Sequence, residues 1–274
     1  LCIIGAPSTI STAGFGPRVR RLVVDVIGQR RTIAERPLPG LAHALVFWGF
    51  LAFGGYTLLE FSRGLGLLDV SASAWFVGYR AALIPFAVAV LCGIGVLLFR
   101  RVVVRPAGLG EQVSLESVVI GLFIVTLMVT FLAAGSLPPD TLAARVNGWV
   151  HAGVVLAFLV VIPRTKHFHL VLAPVTVFLR SEELGAVPNL DFDREEVGLE
   201  TVKDVGSKTV LDVLTCVECG RCQDHCPAHR AGQVLNPKQI VLQMQGAVVD
   251  GRRDAAVSAV VGEEALWQCT TCGA

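Results

Sequence analysis

The chain has 274 residues, of which 53% are apolar and 16% charged, with a mean hydropathy of +0.65 and a formal net charge of +1. That composition is too apolar for an ordinary soluble domain and makes a lipid bilayer the expected solvent. A balance so near neutrality supplies no bulk field for nucleic acid or an acidic substrate, so neither is expected as a partner.

In chain order, the apolar stub Leu1–Ala6 reads as the tail of an earlier span, and the start at Leu1 without methionine reads as a cut end. Four further stretches are uncharged over about 20 residues, the length that crosses a hydrocarbon core at 1.5 Å per residue. They are Leu41–Leu59, Ala81–Phe99, Ser117–Leu137 and Val146–Pro163.

Basic residues concentrate in alternate loops. Arg18, Arg20, Arg21, Arg30, Arg31 and Arg36 precede the first span, Arg100, Arg101 and Arg105 follow the second, and Arg164 and Lys166 follow the fourth. The other two loops hold only Arg63, Arg80 and Arg145. By the positive-inside rule the first set is cytoplasmic, in a multi-pass protein of the cell membrane. Arg18–Arg31 mixes basic residues with Leu22, Val23, Val24, Val26 and Ile27, which suits either a helix lying in the interface or a solvated basic loop.

Histidine inside a span is costly and therefore a functional candidate. His43 lies near the cytoplasmic end of the first full span, His151 near the outer end of the fourth, and His167 and His169 at its cytoplasmic exit. Eighteen residues separate His151 from His169. On one continuous helix that is about five turns, placing both imidazoles on one face roughly 27 Å apart, with Pro163 as a possible bend. Imidazoles at matched depth suit the axial positions of a b-type haem. His43 and His169 form the expected pair, while His151 would serve a second haem for which no partner is evident. The alternative is that these histidines are interfacial anchors or quinone contacts.

Past Arg164 the composition becomes that of a soluble domain, with an acidic run at Asp191–Glu196. The expected division is a transmembrane domain over 1–180 and a cytoplasmic domain over 181–274. Most of the cysteines lie in the second, where structural disulfides are rare and clustered thiols point to metal or redox work.

Cys216, Cys219, Cys222 and Cys226 followed by Pro227 spell CxxCxxCxxxCP, and Cys269 and Cys272 begin a second run at which the chain ends. This is the bacterial two-cluster ferredoxin pattern, in which three thiolates wrap one [4Fe–4S] cubane and the fourth reaches the other. Cys216, Cys219 and Cys222 are then expected on one cluster, and Cys226, Cys269 and Cys272 on the second. Zinc knuckles are the competing reading of the CxxC pairs. His225 and His229 are expected to tune hydrogen bonds or face water, and Cys2 and Cys92 to pack.

The stretch VIPRTKHFHLVLAPV (Val161–Val175), with His169 five residues before Pro174 and His151 eighteen residues upstream, resembles the fifth-helix exit of the haem b membrane subunit of respiratory nitrate reductases and heterodisulfide reductases. That family has five spans, with ligands on the second and fifth. The resemblance implies two ligands on the span where this chain supplies only His43. CVECGRCQDHCPAH, LNPKQIVLQMQ and ALWQCTTCGA resemble the iron–sulfur domain of heterodisulfide reductase-related proteins. Both halves in one chain resemble the membrane-bound iron–sulfur oxidoreductases that join electron-transfer flavoprotein to menaquinone, in which cysteine-rich CCG domains follow downstream.

The expected fold is thus mainly α, a polytopic helical bundle followed by an α-helical ferredoxin-like domain. The expected function is that of a quinone-linked respiratory oxidoreductase carrying two [4Fe–4S] clusters and haem b, with electron-transfer flavoprotein or another soluble donor as partner. No catalytic residue is assigned from the sequence. A quinol-linked heterodisulfide or thiol reductase, an electron-conducting anchor subunit and a zinc-stabilised scaffold are the alternatives. The haem edge near His43 and Trp48 is the expected neighbourhood of quinone.

Overall fold

The computed structural model describes residues 14–70, 72–110, 113–180 and 198–270. The stub Leu1–Ala6, Cys2, the acidic run Asp191–Glu196 and Cys272 lie outside them. The architecture is mainly α, with four long apolar helices followed by the cysteine-rich region. The chain divides into two compact units, one of residues 27–106 and 111–163, the other of residues 1–26, 107–110 and 164–274.

Helix α1 (Phe15–Arg21) belongs to the second unit; the first opens with the short helix α2 (Arg30–Glu35) and continues into α3 (Pro37–Gly64), α4 (Ala74–Phe99), α5 (Leu115–Ala133) and α6 (Leu142–Val161). Each long helix is apolar and long enough to cross a membrane. Local chemistry sets their ends. Pro37 occupies the first turn of α3, where its missing N–H costs nothing. Ser73 precedes α4, and Thr141 caps α6 by accepting from the Ala144 N–H. α4 begins seven residues before the uncharged run at Ala81, because Trp75, Tyr79 and Arg80 continue the helix beyond the apolar core. α5 stops at Ala133, ahead of Gly135 and the Pro138–Pro139 pair, and so falls short of Leu137.

Small residues let α3 and α4 approach closely, since in a bilayer packing rather than hydrophobic exclusion holds spans together. A Cβ on Gly93 would stand 2.7 Å from the Ala42 carbonyl oxygen, and one on Gly49 would overlap Val90. Ala44, Leu83, Ala87 and Val90 are buried around this seam. Towards the other end of the pair, Tyr56 stacks on Phe76 at 5.5 Å and Phe53 meets Phe131 of α5 edge-on at 4.9 Å. The Tyr79 hydroxyl donates to the Ala52 carbonyl. α6 joins α5 through Phe123 and Phe158, edge to face, yet buries none of its own residues.

In the second unit, α1 (Phe15–Arg21) lies against α7 (His169–Phe178). The Arg18 guanidinium sits 4.4 Å from the centre of the Phe178 ring and donates through Nε to the Phe178 carbonyl at 3.0 Å. The basic segment Arg18–Arg31 is helical but not one helix. α1 passes into a π-helical turn at Leu22–Ile27, and Gln29, at φ 52°, breaks the path before α2.

The cysteine-rich part contains α8 (Ser207–Leu214), α9 (Arg221–His225), α10 (Pro227–Arg230), α11 (Pro237–Val249), α12 (Val257–Val261) and α13 (Glu263–Trp267). Val202, Val205, Val210, Val213, Met244, Ala247 and Val261 form its core. An isolated antiparallel bridge between Thr201 and Ala256 closes it, beside a capping box in which Asp204 accepts from the Thr201 hydroxyl and N–H.

Candidate iron–sulfur and histidine sites

The first cysteine loop leaves the end of α8 and is held there by a side chain that spacing arguments do not reveal. Gln245 of α11 donates through Nε2 to the Val213 carbonyl at 3.0 Å and lies within 3.5 Å of the Leu214 and Cys216 carbonyls. It thereby satisfies oxygens that the end of α8 leaves without helical partners. The loop then makes two turns through the left-handed region, at Glu218 (φ 58°) and Gly220 (φ 75°). Glycine is needed at the second, because a Cβ there would overlap the carbonyl of Gly108.

Cys216, Cys219 and Cys222 are close enough to influence one another electrostatically. Burial pushes both the Cys216 and Cys222 thiols up, and the other cysteines of the loop add to the rise. The amide of Glu218 and the charge of Lys238 pull Cys216 back, and the amide of Gln223 does the same for Cys222. Soft sulfurs with backbone amides aimed at them, in a half-buried loop, are the donor set an iron–sulfur cluster requires. Among the described residues, no three histidine, cysteine, aspartate or glutamate side chains form a group suited to a single metal ion.

Cys226 is the N-cap of α10. Its sulfur accepts from the His229 N–H at 3.5 Å, and Pro227 fills the first helical position. The His229 ring meets Gln223 at 3.2 Å. Cys269 is exposed and directly follows Gln268, whose Oε1 accepts from the Leu235 N–H at 2.8 Å and ties the end of α13 to the start of α11. Cys92 is also exposed, on the outer face of α4, and is not the packing residue its apolar context suggested.

The histidines share one chemical feature. In the first unit, His43 Nδ1 lies 3.1 Å from Gln29 Oε1, an oxygen that can only accept, so the ring proton is on Nδ1 and the lone pair on Nε2. His151 Nδ1 lies 2.7 Å from Thr130 Oγ1, whose own proton is directed to the Thr126 carbonyl at 2.7 Å. His151 is therefore again the donor. Asn147 supports this contact by donating to the Thr130 carbonyl at 2.9 Å. In the second unit, His169 Nδ1 donates to the Lys166 carbonyl at 3.1 Å.

All three candidates thus present an Nε2 lone pair while an oxygen holds Nδ1–H, the arrangement that orients a metal-ligating imidazole. Burial keeps His169 below its ordinary range, so it is neutral. His167 is pushed down to about 4, by burial first and then by its neighbours His169 and Lys166.

One expectation is overturned here. His151 and His169 are not on a continuous helix, because α6 ends at Val161 and the chain passes through 3₁₀ turns at Ile162–Arg164 and Lys166–Phe168 before α7 begins at His169. Pro163 removes a helical donor at the break, and Thr165 caps the following turn. The five-turn phase relation therefore does not apply. Gln29, Thr130 and Asn147 were missed in the sequence, although polar residues in or beside apolar spans are a signal that could have found the last two.

Residues 212–274 match the 4Fe-4S dicluster domain family, which implies two [4Fe–4S] clusters. Over 94% of its length the chain is 26% identical to a probable iron-sulfur-binding oxidoreductase, FadF, of Bacillus subtilis, covering 47% of that protein. It is 25% identical over 94% of its length to the EtfAB:quinone oxidoreductase of Syntrophomonas wolfei, covering 46% of it. It is 27% identical over 98% of its length to a probable membrane-anchored ferredoxin of Chromohalobacter salexigens, covering 45% of that protein. The chain spans about half the length of these curated relatives. No solved structure matches it. By these comparisons the chain is related to iron–sulfur oxidoreductases and to a probable membrane-anchored ferredoxin, and carries a 4Fe-4S dicluster domain.

Proposed function

We propose that this chain is the electron-conducting part of a membrane-bound oxidoreductase that links a soluble flavoprotein donor to the quinone pool. The observation that carries this reading is the union, in one polypeptide, of four membrane-length helices with a dicluster domain. The name of the Syntrophomonas wolfei relative, an EtfAB:quinone oxidoreductase, supports this choice of donor and acceptor. The distribution of arginines supports a cytoplasmic side for the cysteine-rich unit.

Cys216, Cys219 and Cys222 are the ligands proposed for one cluster, and Cys226, Cys269 and Cys272 for the other. His43 and His169 are the ligands proposed for haem b, with His151 for a second haem. These groups supply one-electron storage when bound, so that a two-electron flavin can be oxidised in single steps and a quinone reduced with two electrons and two protons. The protein's own contribution is to bury the sulfurs, aim amides at them, hold Nδ1 of each imidazole on an oxygen and keep His169 neutral.

The test is a reduced-minus-oxidised optical spectrum of the full-length protein in detergent, with iron and haem assays. Sharp α-bands that disappear in His43→Ala or His169→Ala are expected, with about eight non-haem irons per chain. Bands that survive both substitutions would remove the ligand assignment. Zinc in place of iron would remove the cluster assignment.

The name of the Chromohalobacter salexigens relative favours a second reading, an anchored ferredoxin with no substrate site of its own. Quinone reduction by the isolated full-length protein with a reduced flavoprotein separates the two, since the anchor alone would be inert.

A further inference from the structure

Within the cysteine-rich unit, one of the two cysteine runs is clasped by the segments that leave the membrane spans. The 3₁₀ turn Ala107–Leu109 begins three residues past Val104, the end of the second span, and packs on α9. Its Gly108 carbonyl fills the space where a Cβ of Gly220 would stand, and accepts from Lys238 Nζ at 3.2 Å. Lys238 is 6% exposed, an unusual burial for an ammonium group, and its charge reaches Cys216.

The second clasp comes from the exit of the fourth span. Lys166 is two residues past Arg164, and its side chain, 9% exposed, forms an ion pair at 3.3 Å with Glu218, the strained residue between Cys216 and Cys219. The Lys166 carbonyl holds His169. At no more than about 3.6 Å per residue, chain reach alone keeps Gly108 within about 14 Å of Val104, and Lys166 within about 7 Å of Arg164. Cys222 of the clasped loop and Cys269 of the other run are both exposed, so the runs differ in these clasps and in Trp267, two residues before Cys269, which is 82% exposed.

We propose that the Cys216–Cys222 loop is the end of the dicluster domain that exchanges electrons with the membrane spans, held there by Lys238 and the Lys166–Glu218 pair as positioning residues, while the Cys226/Cys269 end meets the soluble donor. This rests on the electron-conducting reading above. Each transfer is of one electron, from a reduced cluster to a quinone-linked acceptor, with two such transfers and two protons making quinol.

The buried Lys238 ammonium beside one cluster favours its reduced, more negative state, while the Lys166 charge is balanced by Glu218 and serves to hold the loop.

The experiment is an EPR-monitored redox titration of the full-length protein and its variants. Cys222→Ser first identifies the signal of the clasped cluster by removing it. Lys238→Met is expected to lower the midpoint of that signal alone, with iron content unchanged, and Lys238→Arg to restore it. A shift confined to the signal that survives Cys222→Ser, or no shift in either, would overturn the proposal.

In stopped flow, Glu218→Gln and Lys166→Met are expected to slow re-oxidation by menadione at least tenfold while reduction by reduced methyl viologen is unchanged. Unchanged re-oxidation would count against it. Absence of any iron–sulfur signal in the unmodified protein would instead remove the underlying electron-conducting reading.

Discussion

The two units hold the same apolar residue types in different ways. In the unit of long helices the apolar side chains mostly point outward, and α6 buries no residue although its span is strongly apolar. Its helices are held by missing side chains, as at Gly49 and Gly93, and by a few polar contacts such as Asn147 to Thr130. In the cysteine-rich unit valines and a methionine point inward, and the helices, some of only four or five residues, are held by caps and turns. The contrast teaches that hydrophobic burial organises the second unit, whereas close backbone approach organises the first.

The largest expected effect breaks one unit without touching the other. Cys222→Ser should abolish one cluster's EPR signal and remove about half of the non-haem iron, while far-UV circular dichroism retains the long helices. Loss of the long-helix signal as well would show that the two units do not stand apart energetically.

Next, Gly93→Leu should part α3 from α4, since even a Cβ would crowd the Ala42 carbonyl. A cost of about 1–3 kcal/mol or more follows from overpacking. It is readable as a lowered midpoint of thermal aggregation in detergent, with cluster content unchanged until that temperature.

A smaller effect sharpens the role of polar caps. Gln245→Leu keeps the bulk of the side chain but removes the amide donor that faces the Val213, Leu214 and Cys216 carbonyls, leaving Val213 only the Cys216 N–H, and should cost about 1 kcal/mol. Faster loss of cluster absorbance under a chelator would report it. Equal cluster lifetimes in the two proteins would show that the cap is dispensable.

The smallest effect is a pH dependence. Asp204 is held below its usual carboxylate range by the Thr201 hydroxyl and N–H. Its contribution to stability is complete above the ordinary value of about 3.8 and lost as pH falls through the lower folded value. Asp204→Asn should therefore flatten the acid limb of cluster loss below about pH 4 and change little at neutral pH.

The fold was legible in the sequence where one physical signal dominated. Uncharged runs of span length gave the four long helices, and CxxCxxCxxxCP marked the region that matches the dicluster family. Helix ends were less legible, because Trp75, Tyr79 and Arg80 extend α4 through residues an apolar count discards. The break after Val161 was visible only as Pro163, and the length of the interruption depends on the capping of the next turn by Thr165.

The partners of the candidate ligands were not legible, since Gln29 reaches His43 across fourteen residues and Lys238 reaches Gly108 across one hundred and thirty. No periodicity or local spacing encodes such contacts. The two clasps on the first cysteine loop likewise join residues that composition assigns to different parts of the chain.

The interruption between Val161 and His169 has a consequence for how this protein tolerates change in length. In an unbroken helix, adding one residue turns everything beyond it by about 100° and carries a distant side chain to the wrong face. Here α7 sets its own phase from a fresh start, anchored by the Lys166 carbonyl and by Arg18 on Phe178. An insertion or deletion at Ile162–Thr165 would therefore be absorbed in the turns, leaving the orientations of His151 on α6 and His169 on α7 each to its own helix.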